Sequence, residues 1–367
     1  SAAAIGSVLN SYSKVHLYDE RVFRRLSQLA RLHPPSGFDP VAVSNVVNAF
    51  ARSGLKDPPL FAHMAEAVVE MRGPGALSLS VIANGFARAS ERDKTLSAEV
   101  FDVIADHVMG VPEREWTPQT AANLLNAFAR VEMRREDAIR RTCRALRSLD
   151  PGDLDPQSIA STFHSLATLH IVTAPLYRHL CDALERQPPG AGGPQAAANV
   201  AWSVAVMRPF LDLASNLPEG NRSDQRLLDW VWGAVAFHFA DMDRSCRSQV
   251  QQLILSCRID GTPLPDSIGK AEEEACRQAF EENSSILSST STLQADVARV
   301  LRNLKYDVEE EVIEESTGYS LDIYLPKENM VVEVDGPFHY CRDSRQPLGS
   351  TVLKHRHVRG MGYVLIT

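Results

Sequence analysis

The sequence predicts a mainly α-helical protein: an α-solenoid of stacked helix pairs, followed by a small α/β domain at the C-terminus. Two observations support this fold class. A seven-residue phrase recurs along the first two thirds of the 367-residue chain, at intervals of about 38 residues. Near the C-terminus, short apolar runs typical of strands surround one basic helical stretch. A period of this length is typical of helix-pair repeats, which stack into a solenoid with one continuous core.

Each copy of the repeat predicts two helices, and the recurring phrase forms the first. Mainly apolar side chains occupy the centre of the phrase and the positions three, four and seven residues before it, which makes one buried stripe. Capping residues followed by proline mark helix starts at 39–40, 117–118 and 155–156. The central residues of the six copies, at steps of 38, 36, 42, 38 and 38 residues, are Tyr12, Phe50, Phe86, Phe128, Leu166 and Val204.

The opposite face of the first helix carries amides and cations in register. Two residues before the centre, the copies have Asn10, Asn48, Asn84, Asn126, His164 and Trp202. Two residues after it, they have Lys14, Arg52, Arg88, Arg130, Thr168 and Val206. Five residues before it, they have Ser7, Asn45, Val81, Asn123, Ser161 and Asn199. A column of amides beside a column of cations can hydrogen-bond base edges and phosphates along an extended RNA strand.

We therefore predict RNA contacts from this face. The residues are Lys14, Asn48, Arg52, Asn84, Arg88, Asn126, Arg130 and His164. The alternative interpretation is an asparagine ladder that joins neighbouring repeats, beside arginines that are only solvated. For the asparagines, both interpretations have equal support. For the cations, the RNA interpretation is favoured, because four consecutive copies keep a positive charge at this position.

The repeat pattern weakens after the sixth copy, and the sequence predicts four segments. Residues 1–208 form the solenoid, and residues 209–283 contain degenerate repeats and capping helices. The serine-rich tract at 284–291 predicts a linker. Residues 292–367 form the α/β domain, a sheet of three or four strands with a helix on each side. Within the second segment, residues 209–225 contain a Pro-Glu-Gly-Asn motif that predicts a loop. The sequence also predicts a tryptophan-rich capping helix at 227–239 and a divergent further copy at 250–258.

Two phrases in the C-terminal domain are specific. The first, at 334–339, is Val-Asp-Gly-Pro-Phe-His, and the second, at 349–354, is Gly-Ser-Thr-Val-Leu-Lys. Together they resemble the RAP domain, a small module abundant in apicomplexan organellar proteins, which would cover residues 292–367 here. The upstream period is similar to that of the heptatricopeptide and octotricopeptide types of repeat, of which the former accompany RAP domains.

The resemblance implies RNA binding in an organelle, in the mitochondrion or alternatively the plastid. It implies a role in RNA processing, transcript stability or ribosome biogenesis, including membership of a mitochondrial ribosome with ribosomal RNA as the ligand. The implied partners are single-stranded or structured RNA and other proteins of a ribonucleoprotein particle. In the C-terminal domain we expect RNA contacts from His339, Lys354, His355 and Arg356, because cations and imidazoles beside a strand-end groove suit phosphates.

The RAP domain is in turn similar to the PD-(D/E)XK fold of restriction-endonuclease-like enzymes. By this resemblance Asp322 and Glu333 match two metal-binding carboxylates, Asp335 stands where the usual catalytic lysine lies, and Lys354 or His339 would replace that lysine. Such a nuclease would hold Mg²⁺; otherwise no cofactor is expected. For catalysis we favour the alternative, because the usual lysine is missing. In that alternative Asp322 and Asp335 cap turns or pair with Lys354 and Arg356, and His339 is packed.

The composition narrows the function classes. A net charge of −8 and a pI near 5.8 argue against promiscuous nucleic-acid binding but leave room for a local basic face. No apolar run approaches the length of a membrane span, so no membrane partner is expected. The six cysteines form no Cys-x-x-Cys pair, which argues against a zinc module. The sequence favours an organellar RNA-binding protein over two alternatives, a metal-dependent endoribonuclease and a protein-interaction scaffold.

Overall fold

The computed structural model describes residues 1–93, 96, 99–214, 220–287 and 291–367. The chain is mainly helical, with one small four-stranded sheet near the C-terminus. It divides into two compact units, Ser1–Ser165 with Arg342–Ser344, and Leu166–Cys341 with Arg345–Thr367. In the described part of the chain, no helix combines the length and the apolar character needed to cross a membrane.

The first unit is built from helices that alternate between two rows. The first row, α1, α3, α5 and α7, packs side by side, and α4, α6 and α8 form the second row. Their bounds, with the helix that crosses into the second unit, are α1 (Ala2–Lys14), α2 (Glu20–Ala30), α3 (Pro40–Ser53), α4 (Pro58–Glu70), α5 (Ala76–Arg92), α6 (Val100–Met109), α7 (Pro118–Arg130), α8 (Glu136–Arg147) and α9 (Pro156–Thr168).

The predicted helix starts are confirmed. The side chains of Asp39, Thr117 and Asp155 each accept a hydrogen bond from a backbone N–H in the first turn of their helix. Proline takes the next position, where it sacrifices no intrahelical hydrogen bond. In α3, α7 and α9 the local sequence therefore fixes where the helix begins, whereas α5 begins after Gly75 without a side-chain cap.

Aromatic pairs join the two rows in the first unit. Phe50, Phe86 and Phe128, at the centres of three copies, are buried. Each meets the ring of a phenylalanine on the preceding helix, which is α2, α4 or α6. The rings meet edge to face, at centroid distances of 5.2, 5.5 and 5.6 Å. These partners are Phe23, Phe61 and Phe101. Tyr12, the predicted centre of the first copy, differs because it remains half-exposed.

The second unit combines helices with the sheet. Helix α11 packs against α12 and α13, α13 packs against α14, and α16 contacts both α11 and α13. The bounds are α10 (Ala174–Glu185), α11 (Gly193–Ala214), α12 (Gly220–His238), α13 (Arg244–Ile259), α14 (Lys270–Leu287), α15 (Thr292–Asn303), α16 (Gly349–Gly360), β1 (Glu309–Ile313), β2 (Ser320–Leu325), β3 (Met330–Val332) and β4 (Val364–Ile366).

The sheet has the order β1-β2-β3-β4. Strands β1, β2 and β3 pair antiparallel, whereas β3 and β4 are parallel and are connected through α16. Helix α15 covers Ile323 and Leu325. Elsewhere Leu321 and Val331 pack with Val358 of α16 and with side chains of α13 and α14. This arrangement agrees with the predicted small α/β domain, and each predicted strand and helix of the domain has a counterpart.

Residues 200–291 agree only in part with the sequence prediction. Trp202 and Val206 of the sixth copy are buried where α13 packs on α11, so the polar columns end before this copy. Helix α11 runs to Ala214 with Pro209 inside it, and α12 starts at Gly220; of the predicted Pro-Glu-Gly-Asn loop at 218–221, residues 218 and 219 lie outside the described residues. The predicted linker at 284–291 is helical up to Leu287, as α14 continues from its packed segment, and residues 288–290 lie outside the described residues.

Candidate nucleic-acid interface

Arginines from three neighbouring helices share one surface of the first unit. Arg52, Arg88 and Arg130 each follow a buried phenylalanine by two residues, near the ends of α3, α5 and α7. Burial and then the charges of Arg130, Arg92 and Arg52 lower the pKa of Arg88. Such mutual repulsion requires the four guanidinium groups to lie close together. We call these residues, Arg52, Arg88, Arg92 and Arg130, the arginine patch.

Few negative charges offset the arginine patch. Arg130 makes two hydrogen bonds with the carboxylate of Glu91, at 2.7 and 2.6 Å. Arg92 donates to the backbone carbonyl of Ala51 at 3.0 Å, so this contact brings no counter-charge. Glu91 also opposes the lowering of the Arg88 pKa. The patch is therefore a locally positive region of a protein whose net charge is −8, and it can attract phosphates.

The asparagines of the predicted column are of two kinds: one joins neighbouring repeats, and two keep their amides available for a ligand. The Asn84 amide donates to the carbonyl of Ser80 at 3.1 Å and to the carbonyl of Asn123, in the next copy, at 3.2 Å. At this position the amide joins neighbouring repeats, as in the ladder interpretation. Asn48 and Asn126 are half-buried, and their side chains make no hydrogen bond within the described part of the chain. Their amides thus retain donors and acceptors for a ligand.

The remaining predicted residues of this face differ in charge. Lys14 is exposed at the end of α1. His164 is half-buried, and burial lowers its pKa to about 4. An imidazole with this pKa is neutral at pH 7, so His164 brings no positive charge to a phosphate.

A polar groove of about 380 Å³ lies between α7 and α9 in the first unit. Gln119 and Asn123 line it from α7, and Gln157 and Ser161 line it from α9. Asn123 and Ser161 belong to the predicted polar column, five residues before the centre of their copies. The two glutamines were missed, although they lie one helical turn earlier on the same face. Uncharged amides and hydroxyls in a groove can pair with the edges of nucleobases.

In the second unit, the predicted carboxylates already have partners within the chain. Glu333 is buried, with 2% of its surface exposed, and it accepts a hydrogen bond from the Lys354 ammonium of α16. Burial raises the pKa of Glu333, while the positive charge of Lys354 opposes that change and Asp322 adds to it. The second carboxylate oxygen, Oε1, has no hydrogen-bond partner in the described residues. Asp322 accepts the backbone N–H of Val334 at 2.8 Å.

Asp335 lies between two imidazoles. Its oxygens lie 3.2 Å from Nδ1 of His339 and 3.2 Å from Nε2 of His355. Burial alone would raise the pKa of Asp335, but His355, His339 and Lys354 together outweigh burial and lower it. Thr351 donates its hydroxyl hydrogen to the carbonyl of His339 at 3.2 Å. The two specific phrases of the sequence therefore interlock around this carboxylate.

These contacts bear on the metal site predicted at Asp322 and Glu333. The Lys354 ammonium donates to one oxygen of Glu333, and the backbone N–H of Val334 donates to one oxygen of Asp322. Across the described residues, no three His, Cys, Asp or Glu side chains are arranged to hold a metal ion. The observed pairs differ from those of the alternative interpretation, because Lys354 pairs with Glu333 and the imidazoles of His339 and His355 lie beside Asp335. The nuclease-like fold type stays a prediction.

Arg356 lies apart from the other three predicted RNA contacts of this domain. Its Nη2 donates to the hydroxyl of Ser256 on α13 at 2.8 Å. The next residue, His357, is fully buried, with Nε2 at 2.7 Å from Ser256 Oγ and Nδ1 at 2.9 Å from the Tyr319 hydroxyl. Burial and the charge of Arg356 lower the pKa of His357 to about 3. No pattern in the sequence indicates that these two residues face α13, because only the packing of α16 sets the direction of their side chains.

Gly349, the first residue of the second phrase, permits a close approach of α16. A side-chain carbon at this position would lie 1.9 Å from the carbonyl oxygen of Ala167 in the same unit. Since real carbon–oxygen contacts are much longer, any other residue would displace the start of α16. The glycine thus positions the helix that carries Thr351, Lys354 and His355.

Comparison with known proteins found a similar protein and a matching family model. A rice protein (Oryza sativa subsp. japonica) named RAP domain-containing protein, chloroplastic, is 27% identical over 175 residues, which is 46% of this chain. The chain spans about a quarter of the length of that relative, with 25% of it aligned. Residues 332–367 match the family model of the RAP domain, a segment that includes Glu333, Asp335, His339, Thr351 and Lys354.

Proposed function

We propose that this chain is an organellar RNA-binding protein whose first unit follows the RNA backbone with the arginine patch. The observation that carries the proposal is the convergence of Arg52, Arg88, Arg92 and Arg130 on one surface, largely without counter-charges. The match of residues 332–367 to the RAP domain supports it, because that domain is generally associated with RNA binding.

The architecture suits a ligand that is extended rather than compact. The first-row helices α1, α3, α5 and α7 pack side by side, as in an α-solenoid of helix-pair repeats. Neighbouring packed helices lie about 8–10 Å apart, so the cations at their ends form a row with that spacing. In our proposal, backbone phosphates lie along this row, and bases reach the amides of Asn48 and Asn126 and the groove between α7 and α9.

The proposed ligand is ribosomal or another organellar RNA, bound in a mitochondrial ribosome or during RNA processing. The plastid is the alternative compartment, and the name of the rice relative supports an organelle in general. The test is to crosslink RNA to the native protein, sequence it, and measure the mass of the particle. Organellar ribosomal RNA in a ribosome-sized particle would support the ribosomal role. Enrichment of cytosolic transcripts alone would contradict the organellar proposal.

Binding itself is tested with the arginine patch. We expect Arg52→Gln, Arg88→Gln and Arg130→Gln together to weaken the binding of a mixed-sequence single-stranded RNA strongly. Each lost phosphate contact should reduce the slope of log K against log salt by about 0.7. The matched control replaces three exposed arginines of α8 in the second row, Arg140, Arg144 and Arg147, by glutamine. Equal affinity in both triple variants would instead favour a protein-interaction scaffold.

A further inference from the structure

Two arginines of the second unit approach the C-terminal turn of α13. Arg356, on α16, donates from Nη2 to Ser256 Oγ at 2.8 Å. Arg208, on α11, donates from Nη1 to Thr262 Oγ1 at 3.3 Å. The N–H of Thr262 donates to the carbonyl of Cys257 at 2.8 Å, so both hydroxyl groups belong to one turn of the chain. This turn therefore brings guanidinium groups from two different helices to one place.

The Arg356 guanidinium retains unused donors. Its Nε and Nη1 are buried and have no hydrogen-bond partner in the described residues. Ser256 cannot satisfy them, because its oxygen already lies 2.8 Å from Nη2 and 2.7 Å from the ring of His357. A guanidinium group is always charged and has only donors, so a buried N–H of this kind requires an acceptor.

The surroundings of these arginines lack a bound counter-charge. Burial and the charge of Arg208 lower the pKa of Arg356, whereas Asp260 and Tyr319 oppose this change. Tyr319 is neutral, since burial raises its pKa. Asp260 is exposed and makes no ion pair with either arginine in the described part of the chain. Two positive charges with unused donors, close together and partly buried, form an arrangement that an anion stabilises.

We propose that Arg208, Arg356 and Thr262 form a phosphate-binding site in the second unit. Phosphate is the ligand class that fits best, because its oxygens match the planar donor fork of arginine and its charge can pair with two guanidinium groups. In this chain the phosphate belongs to the backbone of bound RNA, a point that rests on the proposed function. A free phosphate ion shares the same chemistry, so the experiment separates the two sources.

The first measurement uses inorganic phosphate and the full chain. The melting temperature is followed while phosphate replaces chloride at constant ionic strength. We expect a saturable rise for the wild-type protein, because a ligand that binds the folded state stabilises it. The rise should be lost in Arg208→Gln and in Arg356→Gln. Arg359→Gln, which removes the same charge from an exposed position of α16, should keep it. Since each variant serves as its own zero-phosphate reference, a change in its basal stability does not affect the comparison.

The second measurement uses single-stranded RNA and the same variants. If the phosphate is part of RNA, Arg208→Gln should weaken binding several-fold and reduce the salt slope by about 0.7, whereas Arg359→Gln should not. A phosphate-dependent rise in melting temperature with unchanged RNA affinity would support the site and assign it to a free phosphate. Absence of both effects would overturn the site. If RNA binding is lost in the arginine-patch variant but not in these variants, the proposed function stands without the phosphate site. If the wild-type protein binds no RNA, the proposed function itself is overturned.

Discussion

At the scale of the residue, His357 shows how burial selects one protonation state. Its ring lies between the Tyr319 hydroxyl and Ser256 Oγ. Because Ser256 donates its own hydrogen to the carbonyl of Gln252, its oxygen accepts from the Nε2–H of His357. Nδ1 is then the acceptor for the Tyr319 hydroxyl. One neutral tautomer satisfies the three groups, whereas a second ring proton would make the Tyr319 hydroxyl the acceptor and take away the acceptor of its own hydrogen.

This arrangement predicts a pH dependence of stability. The pKa of His357 is about 3 in the folded protein, below its ordinary value of 6.5, so the unfolded chain binds the proton first as the pH falls. Stability is therefore lost on going from pH 6.5 towards pH 3, at about 1.4 kcal/mol per pH unit. We expect His357→Asn to be less stable at pH 7, yet to lose less stability than the wild-type protein between pH 7 and pH 5 in urea denaturation.

The control for this pH prediction is His16→Asn. His16 is exposed, and its positive φ of 55° is one that asparagine also adopts. This variant should show the same loss between the two pH values as the wild-type protein. If His357→Asn also loses as much as the wild-type protein, the histidine is not the group that titrates.

At the scale of the element, close approach of the first-row helices depends on small side chains. A side-chain carbon at Gly85 of α5 would lie 2.4 Å from Val47 Cγ1 of α3. With Val47 opposite, the two helices can therefore pack at their observed separation because α5 supplies a glycine. Arg52 lies five residues after Val47 and Arg88 three residues after Gly85, so the spacing of the arginine patch depends on this contact.

We expect Gly85→Ala to destabilise the protein by about 1–3 kcal/mol through overpacking, although alanine itself favours a helix by about 1 kcal/mol. Urea denaturation measures the net loss. Gly110→Ala is the matched control, because its added carbon meets only the His107 carbonyl at an ordinary 3.5 Å. Val47→Ala should relieve part of the Gly85→Ala defect. Equal stability of the two glycine variants would show that the α3–α5 contact adjusts without cost.

Elements set by local chemistry could be predicted, and relations between elements could not. Capping residues act within a few residues, and they predicted the helix starts of the first unit. The period of about 38 residues recurs along the chain, and it predicted the two rows of helices. The basic stretch in α16 shows the limit. Lys354, His355 and Arg356 are consecutive in sequence, and helical geometry turns each about 100° from the last. They consequently contact Glu333, Asp335 and Ser256, respectively, and only the packed position of α16 decides which partner each one has.

At the scale of the whole molecule, the charge is unevenly distributed. The chain has 46 acidic and 38 basic Lys and Arg side chains, which gives the net charge of −8. Many arginines are neutralised locally; Arg135, for example, pairs with Asp102, Asp106 and Asp137. Within the described residues, Glu91 is the one carboxylate that pairs with the arginine patch. The net negative charge therefore repels polyanions at long range, while the arginine patch attracts them locally. Together the two effects favour binding at one surface over promiscuous binding.

This distribution predicts how RNA affinity depends on salt and pH. Up to four phosphate contacts at the arginine patch correspond to a slope of about −3 in log K against log salt for single-stranded RNA. Since arginine does not titrate near neutrality, the affinity should be constant between about pH 6 and pH 8.5. Binding carried by histidine in the domain that contains Asp335 would instead strengthen as the pH falls, because imidazole as a class gains its positive charge near neutral pH. Fluorescence anisotropy over a matrix of salt and pH measures both dependences. A flat pH profile with a steep salt slope would assign RNA binding to guanidinium groups, whereas a pH-dependent affinity that persists in the arginine-patch variant would move the main RNA contact to the domain that contains Asp335.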